Sequence, residues 1–135
     1  PRYWADAAAK LTADRGASAV AVTAGAWQDA DNWLLYPFIG RRLQNRLLYV
    51  PIERPGATVS LGPDYYETVA DAADFGAWLA RLRASGARYV VSFKPASIEL
   101  AWMERRPDLF ERVSGDGKQW GAYRVKRSNS SSSNR

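Results

Sequence analysis

Apolar and polar positions change period several times along this chain, and each change marks an element. Trp4 to Arg15 carries apolar residues at 4, 7, 8 and 11, a spacing that predicts an amphipathic helix. Gly16 ends it, as glycine does just beyond a helix. Ala19-Val-Ala-Val-Thr23 is a short, nearly all-apolar run, the pattern of a strand buried on both faces. A loop of small and polar residues, Ala24 to Asn32, follows. Trp33 to Gln44 reads as a helix, with Asp31 or Asn32 as its N-cap and Pro37 bearable only near its start. Arg46 to Ile52 is a second strand, which Pro51 ends or places at an edge. Residues 53–63 hold Pro55, Gly56, Gly62 and Pro63 and read as loop, with Val59 to Leu61 as a short extra strand.

The longest helical pattern runs from Tyr65 to Ser85. Its stripe is Val69, Ala72, Ala73, Ala77, Leu79, Ala80 and Leu82, and Gly86 closes it. Tyr89-Val-Val-Ser-Phe93 is a third buried strand, ended by Pro95. Ser97 caps a helix over Ile98 to Arg106, which Pro107 stops. The period then falls to two. Leu109 to Ser114 and Gln119 to Lys126 alternate about Gly115-Asp-Gly117 and predict a hairpin at the sheet edge. The last eight residues, 128–135, are too polar to bury anything and are expected to be a disordered, Ser-rich tail. Residues 1–127 therefore read as one α/β domain. Strands alternating with helices predict a small three-layer Rossmann-like sandwich of about five strands. Its sheet would be mostly parallel, with helices on both faces and a C-terminal antiparallel hairpin.

Composition narrows the chemistry. The 135 residues are 47% hydrophobic and 24% charged, which suits one globular core. No apolar run approaches the roughly 20 residues of a membrane helix. Asp6 and Lys10 break any signal-peptide pattern, and a start at Pro1 reads as a piece of something longer. Cysteine and histidine are both absent. Disulfides, thiol nucleophiles, zinc sites of the Cys/His type and Ser-His-Asp triads are thereby excluded. Catalysis would rest on Asp, Glu, Lys, Tyr or Ser, and no cofactor or metal is expected. The net charge is +5, and 15 of the 19 cationic residues are arginine. Arginine suits phosphate and carboxylate recognition, although such a composition also follows from GC-rich coding.

Ligands of such folds bind beyond the C-terminal ends of the parallel strands. Three loops converge there: 24–32, 53–62 and 94–97. In the first, Trp27, Asp29, Asp31 and Asn32 have the chemistry to stack on a sugar-like ligand and bond its hydroxyls. The same residues also serve as a helix cap and an aromatic lid. After the first strand stands AGAWQD, which is no dinucleotide fingerprint, and no phosphate-binding P-loop occurs. Arg41, Arg42 and Arg46 form a cluster suited either to an anion or lipid headgroup or to a solvated helix end. Nucleic acid is not expected as a partner, because no aromatic-basic strand motif appears. Asp64, Glu67, Asp71 and Asp74 make an acidic face that complements a helix dipole. Lys94, Glu99 and Glu104 can form an acid/base set, or ion pairs with Arg105 and Arg106; no catalytic pair is assigned.

Three segments resemble a known domain type. Asp31 to Val50 looks like the Tyr-Pro, Gly, Leu-x-Asn, Val-x-Tyr pattern of the soluble C-terminal domain of multi-spanning glycosyltransferases that use lipid-linked sugars (the GT-C class, protein-mannosyltransferase-like). Tyr89 to Phe93 with Glu99 and Trp102 resembles its third strand and following helix. Phe110-Glu-Arg-Val113 and Ala122-Tyr-Arg-Val125 resemble its closing hairpin. The resemblance implies an accessory domain on the extracytoplasmic side of a cell membrane. It would contribute no catalytic residue to its parent transferase. Its partner would be the membrane portion of the same polypeptide, with lipid headgroups or a glycan acceptor as further contacts. Two rival readings stay open: a free-standing domain binding a sugar-like or anionic ligand, and a soluble enzyme using Lys94, Glu99 or Glu104.

Overall fold

A computed structural model describes residues 19–23, 46–60 and 64–126. The helices expected over Trp4–Arg15 and Trp33–Gln44, and the Ser-rich tail, lie outside the described residues.

Five strands form one open sheet: β1 (Ala19–Val22), β2 (Arg46–Tyr49), β3 (Tyr89–Ser92), β4 (Phe110–Gly115) and β5 (Gly121–Val125). Their order is β2-β1-β3-β5-β4. β1 pairs in parallel with β2 and β3, and β5 pairs antiparallel with both β3 and β4. The sheet is thus evenly mixed, which corrects the expectation of a mostly parallel one. The reason lies in the hairpin. Its second strand, β5, takes the place beside β3 and leaves β4 at the edge, so both of its pairings are antiparallel. No strand forms over Val59 and Ser60.

The three central strands are buried because both of their faces are apolar. One face carries Val20, Val22, Tyr89, Val91, Phe93, Trp120 and Ala122. The other carries Ala21, Val90, Phe110 and Tyr123 and packs on two helices, α2 (Phe75–Ala84) and α3 (Ile98–Arg105). β2 stops at Tyr49, since Pro51 has no N–H for a further ladder bond.

The long helix expected from Tyr65 to Ser85 is broken. A short helix α1 (Tyr65–Val69) passes through a 3₁₀ turn at Ala70–Ala72 and stops, and α2 starts afresh at Phe75. Asp74 makes the break: its extended backbone leaves its carboxylate free to accept the N–H of Ala77 at 3.0 Å. It is an N-cap rather than part of one continuous acidic face. The core contact of α2 also differs from the alanine stripe. Trp78 and Leu82 are its buried residues, and Trp78 Nε1 donates to the carbonyl of Val50 at 2.9 Å. Trp78 packs against Trp102 and Phe110, with ring centroids 5.5 and 6.0 Å apart. Ser97 caps α3 as expected, accepting from Leu100 N at 3.3 Å.

The hairpin turn is held by Asp116, whose carboxylate accepts the N–H groups of Lys118 at 2.9 Å and Gln119 at 2.7 Å. Gly115 before it has φ +88°, and a Cβ there would meet the carbonyl oxygen of Trp120 at 2.6 Å, so no other residue fits. A bulge between Arg112 and Ser114 breaks the ladder of the edge strand β4.

Candidate functional site

The chain leaves β1 for β2 on one side and returns to β3 on the other. The C-terminal ends of β1 and β3 therefore flank the point where strand order reverses, the usual ligand position of open α/β sheets. Thr23 follows β1 there, and its N–H donates to Val91 O at 3.1 Å. From β3 the chain turns through Lys94, Pro95 and Ala96 into the cap residue Ser97. Ala96 has φ +56°, the one non-glycine residue with positive φ among those described. That conformation carries a steric cost for a residue with a Cβ. The Ala96 N–H donates to the carbonyl of Lys118 at 2.8 Å, which ties the loop to the hairpin.

The centre of this junction is a carboxylate. Glu99, in the first turn of α3, is 0% exposed, and the hydroxyl of Thr23, also 0% exposed, donates to its Oε2. Glu99 is buried because α3 turns Glu99, Leu100 and Met103 toward the sheet, and position 99 meets the end of β1 rather than its apolar middle. Below it, Ser92 Oγ and Ser97 Oγ lie 3.2 Å apart, both buried. On the β2 side stand three tyrosines. Tyr49 OH donates to Ser60 O at 3.0 Å, Tyr65 OH donates to Ile52 O at 3.1 Å, and Tyr66 OH accepts the N–H of Ile98 at 3.0 Å.

Electrostatics follow from this packing. Burial first, then the neighbouring Tyr65 and Glu99, push the Tyr49 phenol far above its ordinary value. Burial also raises Tyr66, with Glu99 and Glu67 adding to it and the Ile98 N–H and Lys94 opposing. Lys94 Nζ sits 5.1 Å from the centroid of the Tyr66 ring and 3.0 Å from Glu67 Oε1. That hydrogen bond holds the Glu67 carboxyl below its usual value.

Tyr49, Tyr65, Tyr66 and Glu99 enclose a cavity of about 10 Å³. That is about the volume one water needs and far below any organic substrate. Larger spaces are open grooves. One of about 410 Å³ lies between residues 54–60 and α1, lined by Arg54, Thr58, Ser60, Asp64 and Tyr65. Another of about 420 Å³ runs along β2 past Arg46, Glu53 and Arg81. Among the described residues no group of three or more carboxylates is placed to hold a metal ion.

Each sequence candidate now has a position. Trp27, Asp29, Asp31, Asn32, Arg41 and Arg42 lie outside the described residues. Arg46 is exposed at the first residue of β2, at the opposite end of the sheet from Glu99. Lys94, Glu99 and Glu104 do not converge. Lys94 pairs with Glu67 and Glu99 with Thr23, while Glu104 Oε2 accepts from Tyr123 OH at 2.7 Å and from Arg112 Nε at 3.0 Å. Thr23 and the three tyrosines were not singled out. The sign that could have found them is polar residues where the strands end, Thr23 just past β1 and Tyr49 last in β2. Comparison with protein-family models, curated proteins and solved structures yields no match for this chain. No helix among the described residues is long and apolar enough to cross a membrane.

Proposed function

We propose that the chain is a non-catalytic accessory domain of a membrane glycosyltransferase-like protein that uses lipid-linked sugar donors, standing on the extracytoplasmic side of the membrane. One observation carries the reading. The three side chains that acid–base chemistry would use are each bonded into the fold: Glu99 to Thr23, Lys94 to Glu67, and Glu104 to Tyr123 and Arg112. Of the described residues behind the family resemblance, Tyr89 to Phe93, Phe110, Ala122 and Tyr123 are spent on packing and buried. In this reading the domain is a three-layer Rossmann-like sandwich. Support comes from the sheet face of Val20, Val22 and Val91, which is as deeply buried as the face under α2 and α3. The partner is the membrane portion of the same polypeptide, which supplies the chemistry.

The test is transfer from a polyprenyl-phosphate-linked sugar, measured in membranes holding the full-length polypeptide. Lys94→Met and Glu104→Gln should leave turnover within about threefold, whereas loss of a true acid or base costs about a hundredfold or more. A hundredfold fall with unchanged melting temperature would make this domain catalytic and overturn the reading. The parent gene gives an independent check, since several apolar segments of about 20 residues should precede the codon for Pro1.

A further inference from the structure

Among the described residues, charge is sorted by end. The pairings of Ala19 with Arg46, Val20 with Tyr89 and Tyr89 with Arg124 define the end from which the parallel strands start. α2 and α3 begin where those strands stop and run back, so Arg83 and Arg105 in their last turns arrive at the same end. Arg46, Arg83 and Arg105 are exposed, and their guanidinium groups make no hydrogen bond or ion pair with any described residue. Arg88 precedes β3 beside them, and Lys126 Nζ donates to Pro107 O at 2.7 Å. The acids described here are Asp108, bonded to Arg106 at 2.9 Å, and Glu111, 3.4 Å from Arg124. The opposite end reverses the balance. Among the described residues, Glu53, Asp64, Glu67, Asp71, Asp74 and Asp116 stand there with Arg54, Arg81, Lys94 and Lys118, Arg81 Nε lying 3.2 Å from Glu53 Oε2, and the Glu104–Arg112 pair adds one charge of each sign.

We propose that the basic end is a docking surface for an anionic phospholipid bilayer, with the Thr23–Glu99 end turned away from it. The choice of a bilayer rests on the accessory-domain reading. Three features favour it over nucleic acid. The cations come from separate elements spread across one end of the sheet, with no helix or ribbon among the described residues projecting to enter a groove. The one exposed large hydrophobic residue described, Val59, lies at the other end, so no described residue at the basic end offers a stacking platform for bases. Unbonded guanidinium groups donate in pairs to headgroup phosphates. Because attraction to a charged surface fades within about 8 Å at physiological salt, only the near end of the domain feels it, and the separation of charge becomes an orientation.

The probe is vesicle flotation of the 135-residue chain with phosphatidylglycerol–phosphatidylcholine vesicles, and with phosphatidylcholine alone. Binding should occur to the anionic vesicles only and weaken as salt rises. Arg83→Glu and Arg105→Glu should each lower partitioning about fivefold or more, while Lys118→Glu, the same change in net charge at the other end, should alter it less than about twofold. Circular dichroism establishes that each variant keeps the fold. Absence of binding to anionic vesicles overturns the proposal, as does an equal effect of Lys118→Glu. Tighter binding to a DNA duplex than to the vesicles overturns it in favour of nucleic acid. The spans encoded ahead of Pro1 decide the accessory-domain reading separately, whatever the vesicles show.

Discussion

The two ends of the sheet use polar residues in opposite ways. Where the parallel strands stop, polar groups are drawn inward: Thr23, Ser92, Ser97 and Glu99 are all buried and bonded to one another or to backbone. Where the strands start, several charges stand in water, and the guanidinium groups of Arg46, Arg83 and Arg105 have no described partner. Buried polar groups become costly when one partner is lost, whereas solvated charges contribute little to stability whatever is done to them. The first end should therefore behave as architecture and the second as surface.

The largest break in that contrast would come from Glu99→Ala. It removes a fully buried side chain and strands the Thr23 hydroxyl, so urea unfolding should show a loss of about 3 kcal/mol. A loss below 1 kcal/mol would mean the junction is not structural. Thr23→Val keeps the volume but deletes the donor, and should cost about 2 kcal/mol. A double-mutant cycle between the two positions should return a coupling above about 1 kcal/mol, as residues in direct contact do. Ala96→Gly works the other way. Relief of a left-handed alanine, worth about 1–2 kcal/mol, outweighs the added freedom of the unfolded chain, so thermal unfolding should rise by the equivalent of about 0.5 kcal/mol. If the variant is less stable, the loop stores no strain. At the far end, Arg83→Ala and Arg105→Ala should each stay within about 0.5 kcal/mol of the parent chain.

Acid sharpens the same contrast at the hairpin. The Lys118 and Gln119 N–H groups hold the Asp116 carboxyl below its ordinary value. A depressed folded-state pKa stabilises above the ordinary aspartate value, and that contribution disappears as pH falls through the folded value. Asp116→Asn should therefore lower the melting temperature at pH 7, with the gap to the parent closing in strongly acidic solution. A gap that is constant with pH would assign the effect to turn geometry instead of charge.

Much of this was legible in the chain. All five strands lie where short apolar runs or alternation placed them, because β-branched and aromatic residues at period two, or in short unbroken runs, have little other use. Ser97 was legible as a cap, since a serine before an apolar helical stripe has a local partner. Asp74 was misread because an acidic residue inside a helical period looks the same whether it continues the helix or restarts it. Trp78 was passed over in favour of a stripe of alanines, although it alone in that stretch can both fill the core and reach the Val50 carbonyl.

What the sequence determined by itself was local: the strand positions, the turn at Gly115 to Gly117, the Ser97 cap, the charge balance and the absence of imidazole and thiol. Strand order, the burial of Glu99 and the division of charge between two ends were decided only in the tertiary structure. Each depends on which distant segments meet. β5 inserts beside β3 rather than trailing at the edge, and α3 rolls a glutamate toward β1 because the leucine and methionine beside it must face the sheet. A local pattern states which residues want burial, but only the packing of all elements together decides which polar neighbour is carried in with them.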